Sequence, residues 1–181
     1  MILKIVDIKN PVLRKKARRV VKLHKKVWEL VADMKETLLA QTNPEGVGLA
    51  APQVGKSLQI FIMHYPEEGF NMKAVINPIV IEQSAKNKVH RKKKKKGEKD
   101  ILEGCLSLPY YYGPVERAKK IKIKYLQENG QECTEEFNGF SAQIVQHEVD
   151  HLQGKLFIDH ILEKKSRLFY IEDDEVEEVE I

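Results

Sequence analysis

Residues 138 to 157, NGFSAQIVQHEVDHLQGKLF, read as a helix that has to lie inside the molecule. Phe140, Ile144, Val145, Val149 and Leu152 make it largely apolar, Ser141 is placed to cap its start and Gly154 to end it. The same helix carries His147-Glu148-Val149-Asp150-His151. Its two histidines sit one turn apart on one face, so both imidazoles reach a single metal ion while Glu148 stays beside it. An apolar helix bearing metal ligands requires an internal site, and the fold has to be built around it.

At 181 residues and 42% hydrophobic content the chain fits one domain with a sizeable core. A mean hydropathy of −0.43 and the lack of an apolar run near 18 residues exclude a membrane span. The start, MILKIVDIKNPVLRKKA, lacks the apolar stretch and small-residue cleavage site of a secretory signal. A reducing, cytoplasmic setting is therefore expected, with Cys105 and Cys133 as free thiols. The net charge of +4 hides two poles: residues 86 to 99, KNKVHRKKKKKGEK, are almost all cationic, and the end, EDDEVEEVEI, is acidic. Both read as solvated segments.

Val27, Leu30, Val31, Met34, Leu38 and Leu39 recur at helical spacing and predict a helix over residues 25 to 41, with Trp28 in the core. TNPEGVGLAAPQVG follows as a Pro- and Gly-bounded loop. LQIFIMHY, KAVINPIVIEQ and KKIKIKYLQ read as strands from their β-branched content, the last by strict alternation with lysine. Asn-Gly within ENGQ, residues 128 to 131, marks a hairpin into ECTEEFNG. The order predicts an α+β fold of mostly antiparallel sheets packed around the metal helix.

The chemistry needs a third ligand, and Cys105 in EGCLSLP, 42 residues before His147, supplies it. Two histidines and a thiolate leave a fourth tetrahedral position for water, the pattern of a catalytic site. A divalent ion lowers the pKa of that water, and Glu148 is placed to take its proton. Metal-assisted hydrolysis follows. Donors for a developing oxyanion are the backbone N–H of Leu106 and the side-chain amide of Gln53, and Gly46 and Gly48 allow close backbone approach. Two other readings stay open on the residues alone. Another H-E-x-x-H metallopeptidase would take its third ligand downstream, where the chain offers His160 and Glu163. A basic ribosome- or nucleic-acid-binding protein without catalysis would use the lysine run. Cys133 is read as structural or incidental, and His24, His64, His90 and His160 as lying outside the site.

Three blocks, GVGLAAPQ at 46 to 53, EGCLS at 103 to 107 and QHEVDH at 146 to 151, resemble the signature motifs of peptide deformylases, in that order. NPVLRKKA, INP, VERAKKIKIKY and LFID resemble the flanking segments, so residues 4 to 165 are covered. The resemblance implies antiparallel sheets around the H-E-x-x-H helix and removal of the formyl group from N-formylmethionyl peptides. It also implies Fe²⁺ on Cys105, His147 and His151, with Zn²⁺, Ni²⁺ or Co²⁺ able to substitute. Glu148 maps to the general acid/base, Gln53 and the Leu106 amide to the formyl oxygen, and Gly48 to a backbone bond with the peptide. Val47, Gly48, Glu103, Phe140, Gln143 and Ile144 map to the substrate pocket, with Glu103 and Gln146 supporting the ligands. A narrow cavity would admit formyl and reject larger acyl groups by shape.

The chain departs from the pattern in its lysine-rich insertion at 86–99, in the YYYGP that follows EGCLSLP, and in its acidic end. Tyr110, Tyr111 and Tyr112 are read as anchoring a surface loop, with the substrate entrance as the alternative. The expected organisation is a catalytic domain over 1–170 and an acidic tail over 171–181, with the ribosome as a partner through the lysine run and neither a membrane nor specific DNA.

Overall fold

The computed structural model describes residues 1–66, 70–85, 102–173 and 175–180, so the lysine-rich 86–99 stretch and its His90 lie outside the described residues. Among the described residues there are three α-helices, α1 (Lys25–Leu39), α2 (Gly139–Leu152) and α3 (Phe157–Lys164). The first strands in the chain are β1 (Gly48–Ala50), β2 (Ile60–Tyr65) and β3 (Phe70–Gln83). Then come β4 (Leu102–Cys105), β5 (Leu108–Pro114), β6 (Lys120–Leu126) and β7 (Glu132–Asn138), and after the last helices β8 (Leu168–Glu172) and β9 (Glu175–Val179). Two antiparallel sheets result, one ordered β1-β2-β3-β6-β7 and the other β4-β5-β8-β9. The expected α+β architecture is observed.

Period-two alternation in β2 sets the layering. Phe61 and Met63 face α2, packing with Val75, Ile121, Ile123, Phe137, Ala142 and Val145. Ile60 and Ile62 face the other way, onto Val27, Val31, Met34 and Leu38 of α1. The first sheet is thus sandwiched between the two helices, and α2 is buried as its composition requires. Asn129-Gly130 forms the tight turn between β6 and β7, with Gly130 at φ 81°, a conformation that glycine adopts without strain.

Four expectations are corrected. Trp28 is 44% exposed, because position 28 falls beside the 27/31/34/38 stripe, and its ring N–H donates to the Glu128 carbonyl at 3.0 Å. Leu39, likewise placed in that stripe, ends the helix 58% exposed. Ser141 is no cap: the helix starts after Asn138, and the Ser141 hydroxyl donates back to the Asn138 carbonyl at 2.7 Å. The acidic end does not trail off, since the boundary drawn at 170 falls inside β8 and the glutamates lie on a hairpin strand. The register sets Val179 opposite Leu168, where the two pack together, while Val176 opposite Ile171 and the acidic side chains of β9 face solvent. Among the described residues no helix is long and apolar enough to cross a membrane.

Candidate metal centre

The chain enters α2 through Gly139 at φ 57°, which turns β7 into the helix and lays its ligand face over β1 and the end of β4. Cys105 closes β4, so a strand end and a helix face meet. His151 Nε2 lies 3.3 Å from Cys105 Sγ and 3.1 Å from His147 Nε2, and the three ligand atoms all fall within 4.8 Å of one another. A tetrahedral ion bonded at 2.0–2.3 Å would set such atoms roughly 3.3–3.6 Å apart, so the donor set fits a small divalent ion. Burial would raise the Cys105 thiol, but His151 and His147 bring it down to about 5, which favours the thiolate that metals bind.

Glu148 is 2% exposed, and its Oε2 has no hydrogen-bond partner among the described residues. Burial pushes this carboxyl up to about 7 against the pull of His147 and His151, into the range where it exchanges protons near neutral pH. Only glycine fits opposite: a Cβ on Gly48 would collide with Glu148 Oε1. Gln53 is pinned by accepting from the Ala50 N–H at 2.7 Å, which leaves its Nε2 donating toward Cys105 Sγ at 3.4 Å. Leu106 lines the same cavity of about 400 Å³, together with Val47, Gly48, Glu103, Phe140, Gln143 and Ile144. The structure therefore brings Cys105, His147 and His151 together with Glu148, Gln53, Leu106 and the expected cavity residues. Tyr112 lines the cavity as well, while Tyr110 and Tyr111 pack against Tyr170 with ring centroids 6.0 and 5.2 Å away. Tyr65 contributes a further wall, edge-on to Phe140 at 4.8 Å.

Behind the ligands runs a chain of buried charges. His147 Nδ1 lies 2.8 Å from Glu103 Oε1, which fixes the ring and turns Nε2 to the ligand cluster. Arg117 donates to both oxygens of Glu103, at 2.9 and 2.5 Å, and to Asp150 at 2.5 Å, and Asp150 also meets His160 at 2.8 Å. Burial would raise Glu103, but the two bonds and the charge of Arg117 hold it well below the ordinary carboxylate range. His160 is thus committed to Asp150 and offers no third ligand. Arg117 and Asp150 were not singled out by sequence reasoning; a lone arginine beside a lysine-rich strand gave no local signal. Gln146 supports differently from the expectation, clamping the backbone N–H and carbonyl of Ala118 at 2.9 Å each and touching no ligand. Cys133 stays apart, half-buried on β7.

The polypeptide deformylase family matches residues 2–167. The chain belongs to that family. A peptide deformylase of Pseudothermotoga lettingae is 42% identical over 172 residues, covering 94% of this chain and 88% of that one. One from Dehalococcoides mccartyi is 38% identical over 176 residues, covering 97% and 95%. Among solved structures, the peptide deformylase of Thermotoga maritima superposes with a TM-score of 0.74 at 37% identity, covering 88% of this chain and 97% of that one. That of Synechococcus elongatus in complex with actinonin gives 0.74 at 30% identity, covering 87% and 78%. As a deformylase, the chain is a metal-dependent hydrolase of N-formyl amides. The metallopeptidase and non-catalytic readings are set aside.

Proposed function

We propose that this deformylase removes the formyl group from the N-terminal formylmethionine of newly made polypeptides, with Fe²⁺ as its ion and Cys105, His147 and His151 as its ligands. The observation that carries the reading is a buried carboxylate oxygen on Glu148, without a partner among the described residues, beside a cysteine and two histidines and lining a cavity of about 400 Å³. A divalent ion held there supplies positive charge that acidifies water and polarises a carbonyl. Glu148 takes a proton from the attacking water and delivers it to the departing amide nitrogen. The water oxygen bonds to the formyl carbon as the C–N bond breaks, and formate and a free α-amine leave. The Gln53 amide and the Leu106 N–H donate to the formyl oxygen as negative charge gathers on it.

Val47, Phe140 and Ile144 offer apolar contact to the methionine side chain, with Gln143 at the rim, and the Gly48 backbone bonds the peptide. Glu103 sits at the cavity wall and acts mainly by holding His147. The protein is placed in the cytoplasm with nascent chains as substrates, and the 86–99 insertion is offered as a ribosomal contact. The catalytic domain continues into the β8–β9 hairpin, which carries the acidic residues after 170. Formate release from formyl-Met-Ala-Ser, with acetyl-Met-Ala-Ser as control, tests the reading: release from the first alone is expected, and equal cleavage of both, or of neither, contradicts it.

A further inference from the structure

Residues 14 to 26, RKKARRVVKLHKK, contain eight lysines and arginines and no acidic residue. Arg14 pairs with Asp159 at 2.6 Å, and Lys25 lies 3.7 Å from Glu29. Lys15, Lys16, Arg18, Arg19, Lys22 and Lys26 are exposed and form no ion pair among the described residues. Such a run is commonly a mobile, solvated tract, but here the backbone is fastened at every second or third residue. The Ala17 N–H donates to the Leu152 carbonyl at 2.9 Å, the Arg18 N–H to Ser57 at 3.1 Å, and the Gln59 N–H to the Arg18 carbonyl at 2.8 Å. Asn77 clamps both the N–H and the carbonyl of Val20 at 2.8 Å each. Leu13, Ala17 and Val20 point inward, buried, and the cations between them point out.

From Lys15 to Lys22 the row extends at most about 25 Å. We propose that this fixed row is a docking strip for the phosphate backbone of RNA. A linear polyanion matches a line of cations whose backbone is already ordered, so little conformational entropy is lost when it binds. An anionic membrane fits less well, because the segment is extended and offers only Val21 as an exposed apolar side chain, with no amphipathic helix to insert. The location leaves the active site free. Ala17 is bonded to Leu152 at the C-terminal end of α2, and none of the strip's residues lines the cavity, which opens along the earlier turns from Phe140 to Glu148. The inference rests on the proposed function in one respect: formylmethionyl chains are made on an RNA-rich particle, which gives the strip its use.

The test titrates a fluorescein-labelled RNA hairpin with the full chain across a salt series, followed by anisotropy. It compares wild type, an R18E/R19E/K22E variant that leaves Ala17 and Val20 in place, and a variant with residues 91–96 changed to Ser. The strip variant is expected to bind at least about tenfold more weakly at moderate salt, with the slope of log K against log salt reduced by roughly two to three. Its melting temperature and its rate on formyl-Met-Ala-Ser should match wild type. RNA binding by the strip variant equal to wild type, or binding lost only in the 91–96 variant, overturns the proposal. So does wild type that binds phosphatidylserine vesicles, or self-associates through the acidic β8–β9 hairpin, while ignoring RNA. A chain that binds RNA without releasing formate fails the functional reading and not the strip; the reverse result fails the strip alone.

Discussion

Arg117 is the residue on which the ligand geometry turns. Its guanidinium spans two carboxylates on different elements, Glu103 of β4 and Asp150 of α2, and through Glu103 it sets the ring of His147. A planar fork can do this and a single ammonium cannot. Arg117→Lys is therefore expected to lose about 10–100-fold in metal affinity, read as metal retained after dialysis. Arg117→Met, which strips the guanidinium from buried Glu103 and half-buried Asp150 and leaves them only His147 and His160, should in addition lose on the order of 3–5 kcal/mol of stability, read by denaturant unfolding. Full metal retention in Arg117→Lys would show that Glu103 holds His147 unaided. Gly48 gives a second test. A methyl there collides with the Glu148 carboxyl, so Gly48→Ala should displace the proton carrier and cost on the order of 10²-fold in kcat with the fold and metal retained.

Among the elements, the β6–β7 pair links core packing to charge. Tyr125 is 2% exposed and donates to Glu135 at 2.6 Å, while Lys73 also reaches Glu135. Burial first, and then the bond to Glu135, push the Tyr125 hydroxyl well above its ordinary value of 10.0. In the unfolded chain the phenol ionises near that ordinary value while the folded chain keeps it neutral. The stability that Tyr125 contributes is thus present below pH 10 and lost as pH rises above it. Unfolding across an alkaline series should show wild type losing stability faster than Tyr125→Phe; parallel curves would contradict the assignment. The strand itself was legible, because KIKIKYL alternates and Asn129-Gly130 closes it, and α1 was legible from its apolar stripe. The second sheet was not. Its two hairpins, β4–β5 and β8–β9, lie far apart in the chain, and β5 carries Tyr110 at φ 69°, a conformation that a bulky residue gives no local sign of adopting. Cys105, His147 and His151 could be read from motif spacing, whereas the Arg117 network joins residues 14 and 33 positions away and exists only once the sheets have folded.

For the molecule as a whole, the ion should link folding and activity. Held by Cys105, His147 and His151, it would tie β4 to α2, and so the second sheet to the first. An ion held at a thousandfold excess over its Kd stabilises the folded chain by about 4 kcal/mol, so stripping it with a chelator should lower the melting temperature by roughly 8–15 °C for a domain of this size. Fe²⁺, Ni²⁺ or Co²⁺ should restore both melting temperature and rate, and an unchanged melting temperature would mean that the cluster holds no tightly bound ion. The most direct test of the account is formate release by anaerobically prepared wild type and Glu148→Gln, compared at equal metal content and saturating formyl-Met-Ala-Ser. The account predicts a fall in kcat on the order of 10²–10⁴-fold with KM little changed, because the carboxylate moves protons and holds neither ion nor peptide. Turnover by Glu148→Gln close to that of wild type would contradict it.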